Sequence, residues 1–521
     1  MTRRTGFALD TLMVTCVSLA ARSALFAGFS SAPLFLHPPV DGAWHHRWAS
    51  LIASGDPFVF APYFRAPLYP WILGAVYSVF GTSVTTGALF SLAVSVAGCA
   101  LFHRAALSFC SRRTALAVSL CWALWAPAVF MSSTLLIEPL YMTLLLLALY
   151  LISKGRVPAA SAVLGLAATA RPGAILLLPL LLVLSGGRKA LRLLPALLPI
   201  LLVWCVNAIK GDPGVIISSQ GGINLYLGNS PDSDGMTAFA PVPPDGLTVR
   251  PDNVWSASVR GAPAGASESG VSRYWTGRAL SAALDDPARW AALTAWKLFL
   301  LVTPAEIPGN YDLYYMRGPA PALRFLLAPP PLFLPFSLLL LLLPAVLAAG
   351  KADKPDRTLT AWVVLLLAGV LPFFVTSRFR LPAVPFILLL YARRLERSRP
   401  RIAVLLAGVV LAGAASFASR GLVERAGVNM PFQDALAHAG EGDMKGAEAL
   451  FLQSLDRSSL RSDLSMNRVE AMHNLGLIAA RRGDLDDARG WWLAALDCSP
   501  GFMPSLEALD ALEAITAGRV R

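Results

Sequence analysis

Apolar runs recur along the first 420 residues, separated by short charged or Pro/Gly-rich stretches. They predict helical spans at about 9–29, 84–102, 114–131, 136–152, 157–170, 173–185, 191–209, 326–349, 359–376, 381–392 and 402–418, because a helix needs about 20 apolar residues to cross the hydrocarbon core. Several are shorter than that, so their ends are approximate. After about 430 the pattern turns amphipathic. Ala437–Leu455 and Ala479–Leu496 align on each other, each with a Gly-Asp turn followed by an Ala-anchored helix with bulky apolar residues. This predicts tetratricopeptide-like units of two helices, the turns at Gly442 and Gly483 lying further apart than the usual period of about 34. Ser499–Leu512 supplies a capping helix; a generic helical hairpin is the alternative.

The expected fold class is therefore an all-α polytopic membrane protein of about 11–13 transmembrane helices, with juxtamembrane helices and a small helical repeat domain. A membrane domain over 1–425 carries outer loops 31–83 and 210–325; soluble repeats follow over 430–521.

Basic residues orient the spans. With the N-terminus inside, the inner connections carry Arg3/Arg4, Arg104/Arg112/Arg113, Lys154/Arg156, Arg188/Lys189/Arg192, Lys351/Lys354/Arg357 and Arg393/Arg394/Arg397/Arg399/Arg401, as the positive-inside rule asks. This parity leaves no room for Ala66–Phe80 as a span. It is expected to lie at the outer interface, with Tyr69, Trp71 and Tyr77 as aromatic anchors; 288–304 is read the same way. The C-terminal repeats then fall outside, and the outer interface is expected to be the working face.

Composition agrees. Of 521 residues, 55% are hydrophobic and 15% charged, against nearly a quarter charged in soluble proteins. The net charge of +12 sits largely in short loops, which reads as a topology signal and not a nucleic-acid groove. The six cysteines form no CxxC or metal spacing. The MTRR start before a long apolar run reads as an uncleaved signal anchor.

Charge close to lipid is costly to keep, and the unusual polar residues gather on the outer side. The stretch Asp41–Pro70 holds Asp41, His45, His46 and Arg65; Glu138 opens a span, Arg171 sits in a tight turn, and Arg378 and Arg380 stand at a span mouth. In the 210–325 loop, Ser218–Gly235 has the Gly/Asn/Asp content of turns, 236–270 shows little periodicity, and Thr303–Tyr315 sets Glu306, Asn310 and Asp312 among aromatics. Plain readings stand beside these. Asp41 can cap a helix, Glu138 can answer a helix dipole, Arg65, Arg378 and Arg380 can reach lipid headgroups, and Asn224–Asn229 can be a structural turn. His45 and His46 cannot share a helix face.

In order, these features resemble the GT-C class of membrane glycosyltransferases, near the bacterial aminoarabinose and protein-mannosyl transferases. The matching points are Asp41 after the first span, Arg65–Pro70, Glu138-Pro139, Arg171-Pro172, NLYLGN at Asn224–Asn229, Glu306–Pro308, and RFRLP at Arg378–Pro382. The resemblance covers about residues 1–400. It implies sugar transfer from a polyprenyl-phosphate-linked donor to an acceptor protein or envelope lipid on the outer face, in inverting fashion. By motif, Asp41 would be the general base, with Glu138 beside it. Arg65, Tyr69, Arg171, Arg378 and Arg380 would hold the donor phosphate; Asn224, Tyr226, Asn229 and Glu306 would form a substrate loop. Some relatives use a divalent cation, and Asp41, Glu138 and His45 would then ligate Mg2+ or Mn2+. Membrane lipids, and a protein partner for the repeat tail, complete the expected partners; nucleic acid is not among them. Two alternatives stay open: a glycan ligase or polymerase of the envelope, and a non-enzymatic scaffold or transporter. Against the latter, Arg22 is the main charge deep within a span, whereas transporters place coupling groups near the midplane. An enzyme requires Asp41, Glu138, Arg65 and Arg171 to converge on one cavity.

Overall fold

The computed structural model describes residues 3–184, 190–236, 253–398, 401–422, 430–458 and 465–519. Among them every regular element is helical, and the protein is an all-α polytopic membrane protein. Among the described residues four helices are long and apolar enough to cross a membrane: Gly6–Phe29, Val84–Ala106, Leu191–Ile209 and Ile402–Leu422. Shorter apolar helices, including Glu138–Ser153, Val157–Ala170 and Ser337–Leu347, pack among them. The long helices keep bulky apolar side chains on their outer flanks, for example Leu12, Leu198 and Val410, as a lipid-facing surface requires.

Proline and short polar breaks interrupt several expected spans. The run 114–131 divides into Arg112–Ala123 and Ala126–Met131 around Trp125-Ala126-Pro127. Of 326–349 only Ser337–Leu347 is a helix of any length. Pro329, Pro330, Pro331 and Pro335 withhold the N–H donors that a continuous helix would need before it. Arg22 points inward. Fully buried, it donates to Ser95 Oγ (2.8 Å) and Ala123 O (2.8 Å), tying three helices together.

The loops sort into two ends of the bundle. At one, Arg112 pairs with Asp10 (2.5 Å), Arg393 with Asp353 and Asp356, and Glu396 accepts from Ser111 N. Thus several arginines expected only as topology signals serve in ion pairs. Arg188, Lys189 and Arg399 lie outside the described residues, as does 237–252 of the stretch expected to lack regular structure; Asn253–Arg260 in that stretch is helical.

The other end carries the polar cluster. Helix Leu68–Phe80 is present as expected, but Tyr69 and Tyr77 do not anchor it to lipid. They are 0% and 2% exposed, packed against helix Asp41–Ala53 and the bundle. Tyr77 OH meets His46 Nδ1 at 2.8 Å. Ser218–Gly235, read as a loop, contains helix Gly221–Asn229. Ile223 and Leu227, four apart, bury against Val271 and Trp275 of helix Glu268–Asp285. Gly222 lets the two backbones touch, since a Cβ there would run into the Ser272 carbonyl.

The C-terminal segment forms two stacked hairpins, Met430–Gly440 with Met444–Ser458 and Ser465–Arg482 with Leu485–Cys498, followed by Met503–Arg519. The aligned positions are equivalent in space. Gly442 and Gly483 take positive φ of 81° and 92°. Asp443 N and Asp484 N donate to His438 O and Ala479 O, each five residues back. Ala447 and Ala488, then Phe451 and Trp492, are buried at matching places.

Candidate active site

Helix Asp41–Ala53 starts at Asp41, so the carboxylate sits in its first turn, where negative charge is favoured. It makes no capping bond, and the capping alternative gives way to another role. Trp44 and Trp48, four apart, stack on Phe60 and Tyr63, which pins this helix over the segment leading to Arg65. That segment is tied on its other side as well: Tyr63 N donates to Asn207 Oδ1 (2.9 Å), and Ser219 N and Gln220 N donate to Tyr63 O and Phe64 O (3.0 Å each).

The result is one carboxylate between two guanidinium groups. Arg65 Nη1 donates to Asp41 Oδ1 and Arg378 Nη1 to Asp41 Oδ2, the latter at 2.6 Å. Burial by itself raises a carboxyl pKa, but the two arginines more than reverse it and hold Asp41 well below the usual carboxylate range. Beside it, burial lowers the His45 pKa to about 4, partly opposed by Asp41. The ring is therefore neutral at pH 7, its Nδ1–H directed at Leu135 O (2.8 Å).

A second pair stands next to the first. Glu138, in the first turn of helix Glu138–Ser153 and 0% exposed, accepts from Arg171 Nη2 at 2.6 Å. Arg171 ends helix Val157–Ala170, where Pro172 stops it. The two pairs share an aromatic ring: Arg171 lies 5.0 Å and Arg378 4.7 Å from the Phe379 centroid. Arg171 also covers Tyr141 (5.2 Å) and Arg65 covers Trp44 (5.4 Å). Such stacking fixes guanidinium planes while leaving N–H edges free to donate. Asp41, Glu138, Arg65, Arg171 and Arg378 thus form one cluster. Its cations outnumber its carboxylates by three to two, which suits it to an anion.

Other expected site residues lie apart. Arg380 is 2% exposed and bound to Thr303 O, Ala305 O and Glu306 Oε2 (3.0 Å), its plane on Phe336. Tyr69 OH turns to Ser91 Oγ (3.2 Å). Asn229 donates to Leu225 O and Pro372 O (2.7 Å each) and accepts from Lys297 Nζ (3.1 Å). Tyr226 stacks on Trp275, and Asn224 sits half-buried on the same helix. This helix reaches the cluster through its packing on Phe64 and Phe374, with Phe379 at the edge.

Of the four carboxylate oxygens expected to ligate a divalent cation, three face arginines and Glu138 Oε2 is buried without a partner among the described residues. His45 Nδ1 is turned to a carbonyl. Among the described residues no three His, Cys, Asp or Glu side chains gather as a ligand set. Phe379 and Trp44, which orient the arginines, went unread in the sequence; Tyr141 did leave a trace, three residues after Glu138 on the same helix face.

No family model matches the chain, and no curated protein does. Among solved structures it is similar to the oligosaccharyltransferase AglB of Archaeoglobus fulgidus in complex with an inhibitory peptide and a dolichol-phosphate. The identity is 14% and the TM-score 0.36, over 87% of this chain and 59% of that one. An A. fulgidus oligosaccharyltransferase tethered to an acceptor peptide containing the NVT sequon is similar at 12% identity and a TM-score of 0.35, over 84% and 59%. The chain therefore spans about three fifths of the length of these structures.

Proposed function

We propose that this protein is a membrane glycosyltransferase that moves a sugar from a polyprenyl-phosphate-linked donor to an acceptor on a protein or envelope lipid. The reading places it in a bacterial inner membrane with the cluster facing the periplasm. The observation that carries it is the joined pair of ion pairs, Arg65–Asp41–Arg378 and Arg171–Glu138 on one Phe379 ring, at an end of an apolar bundle.

The chemistry asks for two things at one place. An acceptor O–H or N–H must lose its proton as the atom attacks the anomeric carbon, which needs a carboxylate base. The bond from that carbon to the phosphate oxygen then breaks, and its electron pair leaves with the lipid phosphate, which needs guanidinium donors. Asp41 and the three arginines supply both. A base held by two cations is a poor proton acceptor, because its pKa lies far below working pH. An arriving donor phosphate competes with Asp41 for Arg65 and Arg378. Its binding frees a carboxylate oxygen and restores basicity, so donor binds before acceptor. A negative patch at Asp41 and Glu138 remains to face the oxocarbenium-like transition state.

Asp41→Asn keeps shape and one acceptor oxygen but loses basicity. Transfer in membranes supplied with lipid-linked sugar is expected to fall by about 10²-fold or more, with the protein still inserted and folded. Wild-type transfer rates in that variant would sink the role of Asp41.

A further inference from the structure

Buried hydrogen-bond donors beside Arg378 have no acceptor among the described residues. Asn310 is 8% and Ser377 4% exposed, and Asn310 Nδ2, Ser377 Oγ and Arg378 Nε are shielded from solvent and unpaired. Native interiors leave few such groups, and each calls for a partner. These three are brought together by two segments running side by side. Ser377 N donates to Ile307 O at 3.0 Å, and Gly309 lies against Thr376 and Arg378. Asn310, Ser377 and Arg378 line one small recess whose remaining wall is largely apolar, including Met131, Leu136 and Leu313. It has room for about one water-sized atom. Asn310 Nδ2 and Arg378 Nε can only donate, and the Ser377 hydroxyl can. A water needs donors and acceptors among its partners; an atom that only accepts matches this set better. The other edge of Arg378 holds Asp41, so an atom in the recess sits across one guanidinium from the base.

We propose that Asn310, Ser377 and Arg378 form an oxyanion pocket that takes one non-bridging phosphoryl oxygen of a lipid-linked donor. This rests on the glycosyltransferase reading and extends it to residues outside the ion pairs. As the anomeric C–O bond breaks, its electron pair goes to the phosphate, and the acceptor's proton goes to Asp41. Negative charge then spreads over the phosphoryl oxygens, where preorganised N–H donors act most strongly.

The test is lipid binding to the full chain in nanodiscs, with polyprenyl phosphate, the matching polyprenol and inorganic phosphate as probes. Wild type is expected to prefer the phosphate over the polyprenol. Asn310→Ala should weaken the phosphate lipid by about tenfold, the worth of a hydrogen bond to a charged group. Asn310→Asp, of the same shape but repelling an anion, should weaken it further. Polyprenol binding should not change, and melting temperatures check that the variants fold. Should Asn310→Ala fail to fold, the isosteric variant decides. If wild type shows no preference for the phosphate, the parent reading fails. If wild type has the preference and both Asn310 variants keep it, the pocket fails while the parent reading stands. Displacement of the lipid by equimolar inorganic phosphate would overturn the lipid as the source of the anion.

Discussion

Asp41 and Asp312 are both buried carboxyl groups, and their surroundings drive them in opposite directions. Two arginines keep Asp41 charged. Asp312 accepts from the backbone N–H groups of Tyr314 (2.9 Å) and Tyr315 (3.3 Å), and burial pushes its pKa up to about 6 against the opposing pull of these bonds and of the Arg457 charge. A carboxyl raised in the folded state stabilises the fold fully below its unfolded value, and that contribution is lost as pH rises through about 6. Asp312→Asn keeps the accepting oxygen and cannot ionise. It is expected to match wild type in melting near pH 4 and exceed it by up to about 3 kcal/mol at pH 7.5. His45 contributes the opposite slope, being lowered to about 4, but equally in both proteins, so the difference isolates Asp312. A difference independent of pH would contradict the assignment.

At the scale of elements, close approach of helices decides where chain segments can meet. Helices Ser337–Leu347 and Ile402–Ala418 touch through Gly408, where a Cβ would strike the Leu341 carbonyl. Without water to drive association, such contacts between membrane helices rest on small residues. Gly408→Leu is expected to lower stability by about 1–3 kcal/mol or more. Gly413→Leu on the same helix, with nothing within 4 Å, should leave melting unchanged. Equal effects of the two would deny the contact its role. The same logic explains helix Gly221–Asn229, whose Gly/Asn content read as a turn. A partner helix at Val271–Trp275 gave its two buried residues a face to pack on, and local sequence does not announce a partner 50 residues away.

On the scale of the molecule, the C-terminal hairpins are not an appendage. Met430 and Ala437 belong to the main core. Tyr315 OH donates to Asp434 Oδ2 (2.5 Å), and His37 meets Glu441 (2.6 Å). The tail thus rests on the segments flanking Asp41 and Tyr311. Tyr315→Phe removes the hydroxyl donor from the buried Asp434 and leaves it the more distant His438 ring (3.7 Å). Faster hydrogen exchange in Met430–Gly440 is expected, equivalent to about 1–3 kcal/mol of lost protection; unchanged exchange would make the contact incidental. Orientation is testable in a cysteine-free background. Lys445→Cys should react with an impermeant maleimide from the periplasmic side and Lys351→Cys should not; the reverse pattern would invert the topology.

Sequence alone determined the class, because apolar run length is a local property. It also marked Asp41, Glu138, Arg65, Arg171 and Arg378, each displayed as a charge beside lipid. It could not tell Arg378 from Arg380, two residues apart, since one turns to Asp41 and the other to Glu306. Nor could it show that Phe379 between them joins the two ion pairs, or that Asn310 and Ser377 face one recess. Those facts depend on which segments the folded bundle brings side by side, and pairing over hundreds of residues leaves no periodicity in the chain.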